Sequence, residues 1–442
     1  MRGLKFLFVL IPVALAGQTT VRRMTLEQAV TSALENNSYL KMARVKVREH
    51  EKRTAAARTD FFPQLTTDAN YMHLAEAQHI EIPRGAFGVF KDIGPVPISS
   101  LALIQGANQF FYSTTTLAQP LTQMIKIRQG HQIARLETGI AASDLRKAEN
   151  EVAVRVHEAF FGLLIAQRQK KAAELEVTAT EEKLREARKA VDSGNTLPVT
   201  ATGARAALLA ARHAKLSLEN QISDISVEFN DLVGLPLETD LELVPPDPPA
   251  ASTLTREECL KTALESSEDI RAAAQTVSKA RRAVTAARAD FIPEIGAYGQ
   301  YLYQNGAPFV AKNNGIFGVK MTWKVFDFGK RNDVIGERRA LLEQAEENLR
   351  RLKNRTTVEV EKSYRKLQRS KEMIEVATEA LELRRESGRL SGEQVKAGVT
   401  VMSSQMSSEA ALAKAEADLL AANLGYRLAE AELQRAMGHT PR

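Results

Sequence analysis

Hydrophobic positions follow two periods along this chain. Over residues 199–233, Leu218, Ile222, Ile225, Phe229 and Leu232 alternate by four and three, the heptad seam of helices packed side by side with a left-handed supercoil. Cadence and composition predict a first helix over residues 25–60, stopped by Pro63 because the residue before a proline is pushed out of the α region. A second runs over residues 123–192, which hold no proline. The break at Ser193-Gly194-Asn195 separates it from the third. The scheme returns as helices over residues 255–290, 330–396 and 401–437. At ~1.5 Å per residue the middle helix spans about 105 Å and the first and third roughly 50 Å each, so two short helices end to end match one long one. Each half reads as a long antiparallel pair, with strands at one end and the Gly194 or Gly398 turn at the other. Ala415, Ala422, Ala429 and Ala436 place a small residue at every seventh position of the last helix, which allows close helix approach.

The second period is two. Leu65, Thr67, Ala69, Tyr71 and His73 alternate with Thr66, Asp68, Asn70 and Met72. Phe110, Tyr112, Thr114, Thr116 and Ala118 give a second candidate strand, and Ile295, Ala297, Gly299, Tyr301 and Tyr303 a third. In the fourth, Phe317, Val319, Met321, Trp323 and Val325 oppose Gly318, Lys320, Thr322 and Lys324. Each is about 10 residues long, the length of a membrane-spanning β-strand with an apolar exterior and a polar interior. Tyr71, Tyr301, Tyr303 and Trp323 are candidates for the aromatic girdle at the membrane boundary. Four strands are too few to close a barrel, so open edges must be paired by further copies of the chain.

The chain also repeats itself. The segment from Thr25 to Leu65 aligns without a gap on that from Thr255 to Ile295, ending in AARTDFFP and AARADFIP, so that Pro63 and Pro293 hold the same helix-to-strand passage. Gly194, Thr196, Leu208 and Gly234 recur as Gly398, Thr400, Leu412 and Gly438. The first half is longer, the excess falling between Pro63 and Thr116. Pro83, Gly85, Gly88, Gly94, Pro95 and Pro97 lie in it, and their density suits an exposed loop over residues 75–108, not a spanning strand. The predicted organisation is a leader at 1–16, a first repeat at 17–234, a Pro-rich extended linker at 235–252, a second repeat at 253–438 and a tail at 439–442.

Composition narrows the class. Among 442 residues, aromatics are only 6% and charged residues 26%, which fits neither a polytopic helical membrane protein nor a disordered chain. Residues 1–16 have a basic start (Arg2, Lys5), an apolar run too short to span a bilayer, and Ala14-Leu15-Ala16 at the end, the pattern of a secretory signal peptide. The single cysteine, Cys259, cannot form an intrachain disulfide or a multi-thiolate metal site, nor, at that position, an N-terminal lipid anchor. His157-Glu158 lacks the second histidine of a zinc-protease motif, and there is no phosphate-binding glycine loop and no nucleophile elbow. No enzyme is expected, and no cofactor. The basic stretch over residues 350–371 lies in a mixed-charge helix of an exported chain, so it reads as a solvated face rather than a nucleic-acid site.

The duplicated openings LEQAVTSALENN and REECLKTALESS, the passages ARTDFFPQL and ARADFIPEI, VFDFGKR at Val325 to Arg331, and the paired Gly194/Gly398 turns with Gly234/Gly438 closures resemble the TolC-like outer-membrane efflux protein family. The resemblance covers essentially the whole chain after the leader. It implies a mainly α fold with a membrane β-barrel portion: a homotrimer with a twelve-stranded outer-membrane barrel and a long periplasmic α-helical barrel. It implies an exit duct for an efflux or type I secretion system, joined through a periplasmic adaptor to an inner-membrane pump. Adaptor docking would fall on the turns at Gly194, Thr196, Leu197, Gly398, Thr400 and Val401, with the pore constriction beside them. Where the family commonly has an acidic residue six positions after the turn glycine, this chain has Thr200 and Ser404, with Ser407 one turn further. The contrasting class is a periplasmic coiled-coil or adhesin-like protein with no lumen.

Overall fold

The computed structural model describes residues 22–76, 79–104, 108–247, 254–307 and 310–441; the predicted leader lies outside them. The elements in order are β1 (Arg22–Met24), α1 (Leu26–Asn36), α2 (Ser38–Thr59), β2 (Gln64–His73), β3 (His79–Ile82), β4 (Val89–Phe90), β5 (Gly94–Pro95), β6 (Leu101–Ile104) and β7 (Gln109–Pro120). Then come α3 (Met124–Asp192), α4 (Pro198–Val233), β8 (Leu241–Leu243), α5 (Arg256–Ser266), α6 (Glu268–Arg288), β9 (Glu294–Asn305), β10 (Asn313–Thr322), α7 (Lys330–Lys396) and α8 (Met402–Ala436). Two compact units result, one of Lys46–Ala142 with Ala272–Arg350, the other of Ser143–Arg271 with the chain up to Val45 and from Arg351.

The second of these units holds the main core. Phe160, Phe161 and Phe229 are fully buried and stack edge to face or tilted, with centroids 6.0 and 6.1 Å apart. Val156, Leu40, Met24, Ala29 and Ala33 are among the other buried members of that cluster. Of the predicted seam, Phe229 is its buried member, while Ile222, Ile225 and Leu232 pack against it partly exposed. A second cluster joins Cys259, Val360, Leu367, Tyr426 and Leu433. Ala415, Ala422, Ala429 and Ala436 are all buried, as their spacing predicted.

The first helix of each repeat is broken, which corrects the single helices expected over residues 25–60 and 255–290. α1 stops at Asn37 (φ −58°, ψ 127°) and α5 at Ser267 (φ −60°, ψ 123°). The Asn37 carboxamide oxygen accepts from the backbone N–H groups of Tyr39 (3.0 Å) and Leu40 (3.3 Å), capping α2, while its NH2 donates to Leu232 O at 3.1 Å. Both breaks meet the end of a returning helix. At Gly234 an added Cβ would lie 2.6 Å from Asn36 Cβ, and at Gly438 one would lie 2.6 Å from Ser266 O. At the second break Glu268 accepts from Arg146 at 2.7 and 2.8 Å and from Arg271 at 2.6 Å. Burial works against its carboxylate, but the hydrogen bonds of Arg146 and Ser143 outweigh that and hold the carboxyl below the ordinary glutamate value.

The linker is more ordered than an extended spacer. β8 pairs in parallel with β1, the amide of Asn230 donates to Leu237 O (3.0 Å) and Thr239 O (2.9 Å), and Arg427 donates to Asp247 O. Residues 248–252 of the predicted linker lie outside the described residues. In the predicted tail, Thr440 bonds Asn150 and Pro441 is buried.

Candidate conduit surfaces: the strand sheet and the helix turns

The sheet lies wholly in the first unit, in the order β10-β9-β7-β2 with every neighbour antiparallel. Pro63 and Pro293 each stand immediately before a strand, β2 and β9, where proline's fixed φ and the missing N–H end the helix without breaking a ladder. Pairing decides which residues share a face. Thr66 faces Thr116 and Asn70 faces Tyr112, while Thr116 faces Gln300 and Ala118 faces Tyr298. Phe110, Tyr112, Thr114, Thr116 and Ala118 therefore belong to the polar face of Thr66, Asp68 and Asn70. Gln300 donates to Thr116 Oγ at 3.3 Å on that face. At its base is a cavity of about 760 Å³ lined by Gln64, Thr116, Gln119, Gln123, Tyr298, Lys320 and Thr322.

The opposite face carries Leu65, Leu117, Phe317, Val319 and Met321, all exposed, Phe317 to 88%. An apolar face this bare is what a spanning strand presents to lipid. The Thr67 and Thr115 hydroxyls on it satisfy one another at 3.1 Å. Tyr71 pairs across from Phe111, Tyr303 from Ser113 and Tyr301 from Thr115. Phe111 and Tyr303 have centroids 6.0 Å apart, and Tyr301 donates to Asn313 Oδ1 at 2.7 Å. These aromatics mark one end of the sheet. Trp323 stands at the other, one residue beyond β10, which ends at Thr322 and not at Val325 as predicted. Between the Tyr303–Asn313 pair and Trp323 lie ten strand positions, or about 33 Å of strand and, at a 45° tilt, roughly the 25 Å of an apolar band. The outer edges of β2 and β10 pair with no strand among the described residues, and all of β2 is exposed.

The turns lie in the other unit. Gly194 and Gly398 adopt φ of 73° and 72°, and both close the same motif. Gly194 N–H donates to Val191 O and Asn195 N–H to Ala190 O; Gly398 N–H donates to Val395 O and Val399 N–H to Gln394 O, all at 2.9–3.0 Å. Past the first turn the Thr196 and Thr200 hydroxyls are 3.1 Å apart. Leu197 and Val401 occupy the N-cap positions of α4 and α8 with no side chain able to cap, and both are exposed. Thr400 lies in the second turn; Ser404 and Ser407, on the first turns of α8, are exposed as well.

Ser403, which the sequence reading passed over, makes the specific contact here. Its backbone N–H donates to Glu186 Oε1 at 3.0 Å and its hydroxyl to Glu186 Oε2. A carboxylate on the long helix of the first repeat thus caps the last helix of the second, where Val401 cannot. Glu186→Ala should cost about 1 kcal/mol locally and speed amide exchange at residues 402–405, leaving the β-sheet amides unchanged. Unchanged exchange at Ser403 would refute this cap.

The chain matches the outer membrane efflux protein family over residues 29–235 and 259–439, the two segments following the duplication. Its fold is similar to that of the Campylobacter jejuni CmeC outer membrane channel, with a TM-score of 0.74 at 14% identity over 93% of this chain and 85% of that one. It is similar also to the Vibrio cholerae outer membrane protein VceC (0.71, 15%, 94% and 97%) and to the open state of the Neisseria gonorrhoeae MtrE outer membrane channel (0.67, 16%, 94% and 89%). No curated protein matches at the sequence level. The duplicated helix and strand scheme, the one-sided apolar sheet and the two matched segments agree, and the chain belongs to the outer membrane efflux protein family.

Proposed function

We propose that three copies of this outer-membrane efflux channel subunit close a twelve-stranded barrel and continue it as a helical conduit in the periplasm. The observation that carries this reading is a four-stranded sheet with one bare apolar face, one polar face and, among the described residues, both edges unpaired. Pairing β10 of one copy with β2 of the next satisfies both edges, and three copies of four strands make an even-numbered barrel of ordinary size. The apolar face then meets lipid and the polar face lines the lumen. Transport through such a duct is passive and calls for no bond-making chemistry, cofactor or nucleic acid. In this reading the leader at residues 1–16 directs the chain to export.

In this reading a periplasmic adaptor, linked to an inner-membrane pump, docks on the turns at Gly194, Thr196, Leu197, Gly398, Thr400 and Val401, whose exposed apolar groups suit a protein partner. Thr200, Ser404 and Ser407 line the constriction and present hydroxyls there. Tyr71, Tyr301 and Tyr303 hold the outer interface and Trp323 the inner one. The test is direct. Detergent-extracted protein should migrate as a heat-sensitive trimer and conduct ions in planar bilayers. A trivalent cation added on the periplasmic side should block weakly, and at least tenfold more tightly after Ser404→Asp with Ser407→Asp, because carboxylates crowded in a narrow pore make a dense anionic site. A monomer soluble without detergent would overturn the conduit, and unchanged block would remove these serines from the constriction.

A further inference from the structure

Each repeat supplies one hairpin of the sheet, β2–β7 and β9–β10, and the two hairpins join through β7 and β9. The duplication lays Pro63 on Pro293, and so β2 on β9. Gln64 pairs with Ala118, and its counterpart Glu294 pairs with Thr322. Thr322 is therefore the counterpart of Ala118, at the same spacing that separates Gly194 from Gly398. By that spacing β10 is the counterpart of β7, and every contact of β7 with β9 has a counterpart between the two free edges, β10 and β2.

At the end nearer the helices β7 outruns its own hairpin. β2 begins at Gln64, opposite Ala118, yet β7 continues through Gln119 and Pro120 because β9 offers Ala297 and Gly296 there. β10 stops at Thr322, opposite the first residue of β9. The counterparts of Gln119 and Pro120 are Trp323 and Lys324, and no strand lies beside them among the described residues. Next to this seam the Lys126 ammonium pairs with Asp290 and, at 3.5 Å, with Glu294. The counterpart of Lys126 is Lys330 and that of Asp290 is Asp60; both are exposed, and neither makes an ion pair among the described residues. Glu294 has Gln64 as its counterpart, so Asp60 is the acid left for Lys330.

A second copy of the chain is the partner that fits these edges. Within the chain Thr116 faces Gln300 and Ala118 faces Tyr298, so the same register between copies sets Lys320 opposite Asn70 and Thr322 opposite Asp68. All four belong to the polar face, whereas a slip of one residue would set Lys320 against the apolar one. Asp68 then comes diagonally beside Lys324, within reach of its long side chain.

We propose that copies join by repeating this internal seam: β10 extends to Lys324 along β2 of the next copy, with Lys320 opposite Asn70 of that copy, and Lys330 pairs with Asp60 of that copy. This rests on the trimeric reading above, to which it adds a register and an ion pair. Because Cys259 is fully buried, introduced cysteines supply the reactive thiols. Lys320→Cys with Asn70→Cys, and Met321→Cys with Ala69→Cys, sample consecutive pairs of the one register, so one of them is the closer, non-hydrogen-bonded kind. Mild oxidation of the intact oligomer should give covalent dimers and trimers on non-reducing denaturing gels for at least one of these variants, and monomers for Lys320→Cys with Met72→Cys, which is out of register. Lys330→Asp should lower the temperature at which the unheated trimer dissociates by several degrees, and adding Asp60→Lys should restore it. Stronger cross-linking of the out-of-register variant, no cross-linking of either in-register variant in a surviving trimer, or no recovery on exchanging the two charges overturns the proposal. A wild-type chain that forms no trimer, seen in an unheated lane of the same gel, refutes the trimeric reading itself and the seam with it.

Discussion

Replacing Gly438 by valine should leave little or no folded protein in the outer membrane, whereas the same change at Gly398 should leave a stable oligomer with impaired export. Both glycines have positive φ, 86° and 72°, so both substitutions carry the left-handed penalty of about 1–2 kcal/mol. The difference lies in what a Cβ meets. At Gly398 there is nothing within 4 Å, while at Gly438 it would lie 2.6 Å from Ser266 O, 2.8 Å from Ser266 C and 3.1 Å from Ser267 N. Those atoms are backbone at the α5–α6 break and cannot rotate away, so overpacking adds about 1–3 kcal/mol or more, multiplied over every copy in the assembly. Gly234, with φ 74°, meets an equally immovable obstacle, because Asn36 Cβ at 2.6 Å is fixed by its own backbone and Asn36 C lies behind it at 3.3 Å. Protein abundance and the temperature at which the unheated oligomer dissociates should fall little for the valine at Gly398 and sharply for those at Gly234 and Gly438. Equal losses at all three positions would mean that the contacts with the first-helix breaks contribute nothing.

Val319→Arg should prevent assembly, and Lys320→Glu should not, although the residues are adjacent. Val319 lies on the bare apolar face, opposite Ala297, and Lys320 on the polar face, opposite Gly296. An arginine near the bilayer midplane costs roughly 2–4 kcal/mol per copy and three times that per trimer, against near neutrality for a lumen-facing change. The yield of heat-sensitive trimer in isolated membranes measures both. If Lys320→Glu proved the damaging one, the two faces would have to be exchanged and the polar face assigned to something other than a lumen.

The helices were legible because each carries its own signals. The caps Thr25 and Thr255 close reciprocal bonds with Gln28 and Glu258, proline bars the helix at Pro63 and Pro293, and glycine permits the left-handed stop at Gly194 and Gly398. The breaks at Asn37 and Ser267 went unread because nothing in their neighbourhood forbids a helix. They exist because each chain bend receives the end of a helix far away in sequence: at the first the Ser32 hydroxyl donates to Val233 O and the Asn37 amide to Leu232 O, and at the second Gly438 packs against the backbone of Ser266.

Strands were legible by their alternation, but alternation says only that two faces differ. That Thr116 looks the same way as Thr66 and Gln300, while Phe111 sides with Tyr71, is a property of the register between β2, β7 and β9, and a slip of one residue would reverse it. The same holds for Ile80, Ile82, Leu101 and Leu103, which become one apolar face only when β3 pairs with β6.

By itself, then, the sequence determined the duplicated order of helices and strands and the turns that separate them, since periodicity, proline and glycine act within short windows. The tertiary structure alone decided the strand registers, the helix breaks, the β1–β8 pair and the capping of α8 by Glu186. Each of those depends on a hydrogen bond or a steric contact between segments far apart in the chain, which no local pattern encodes.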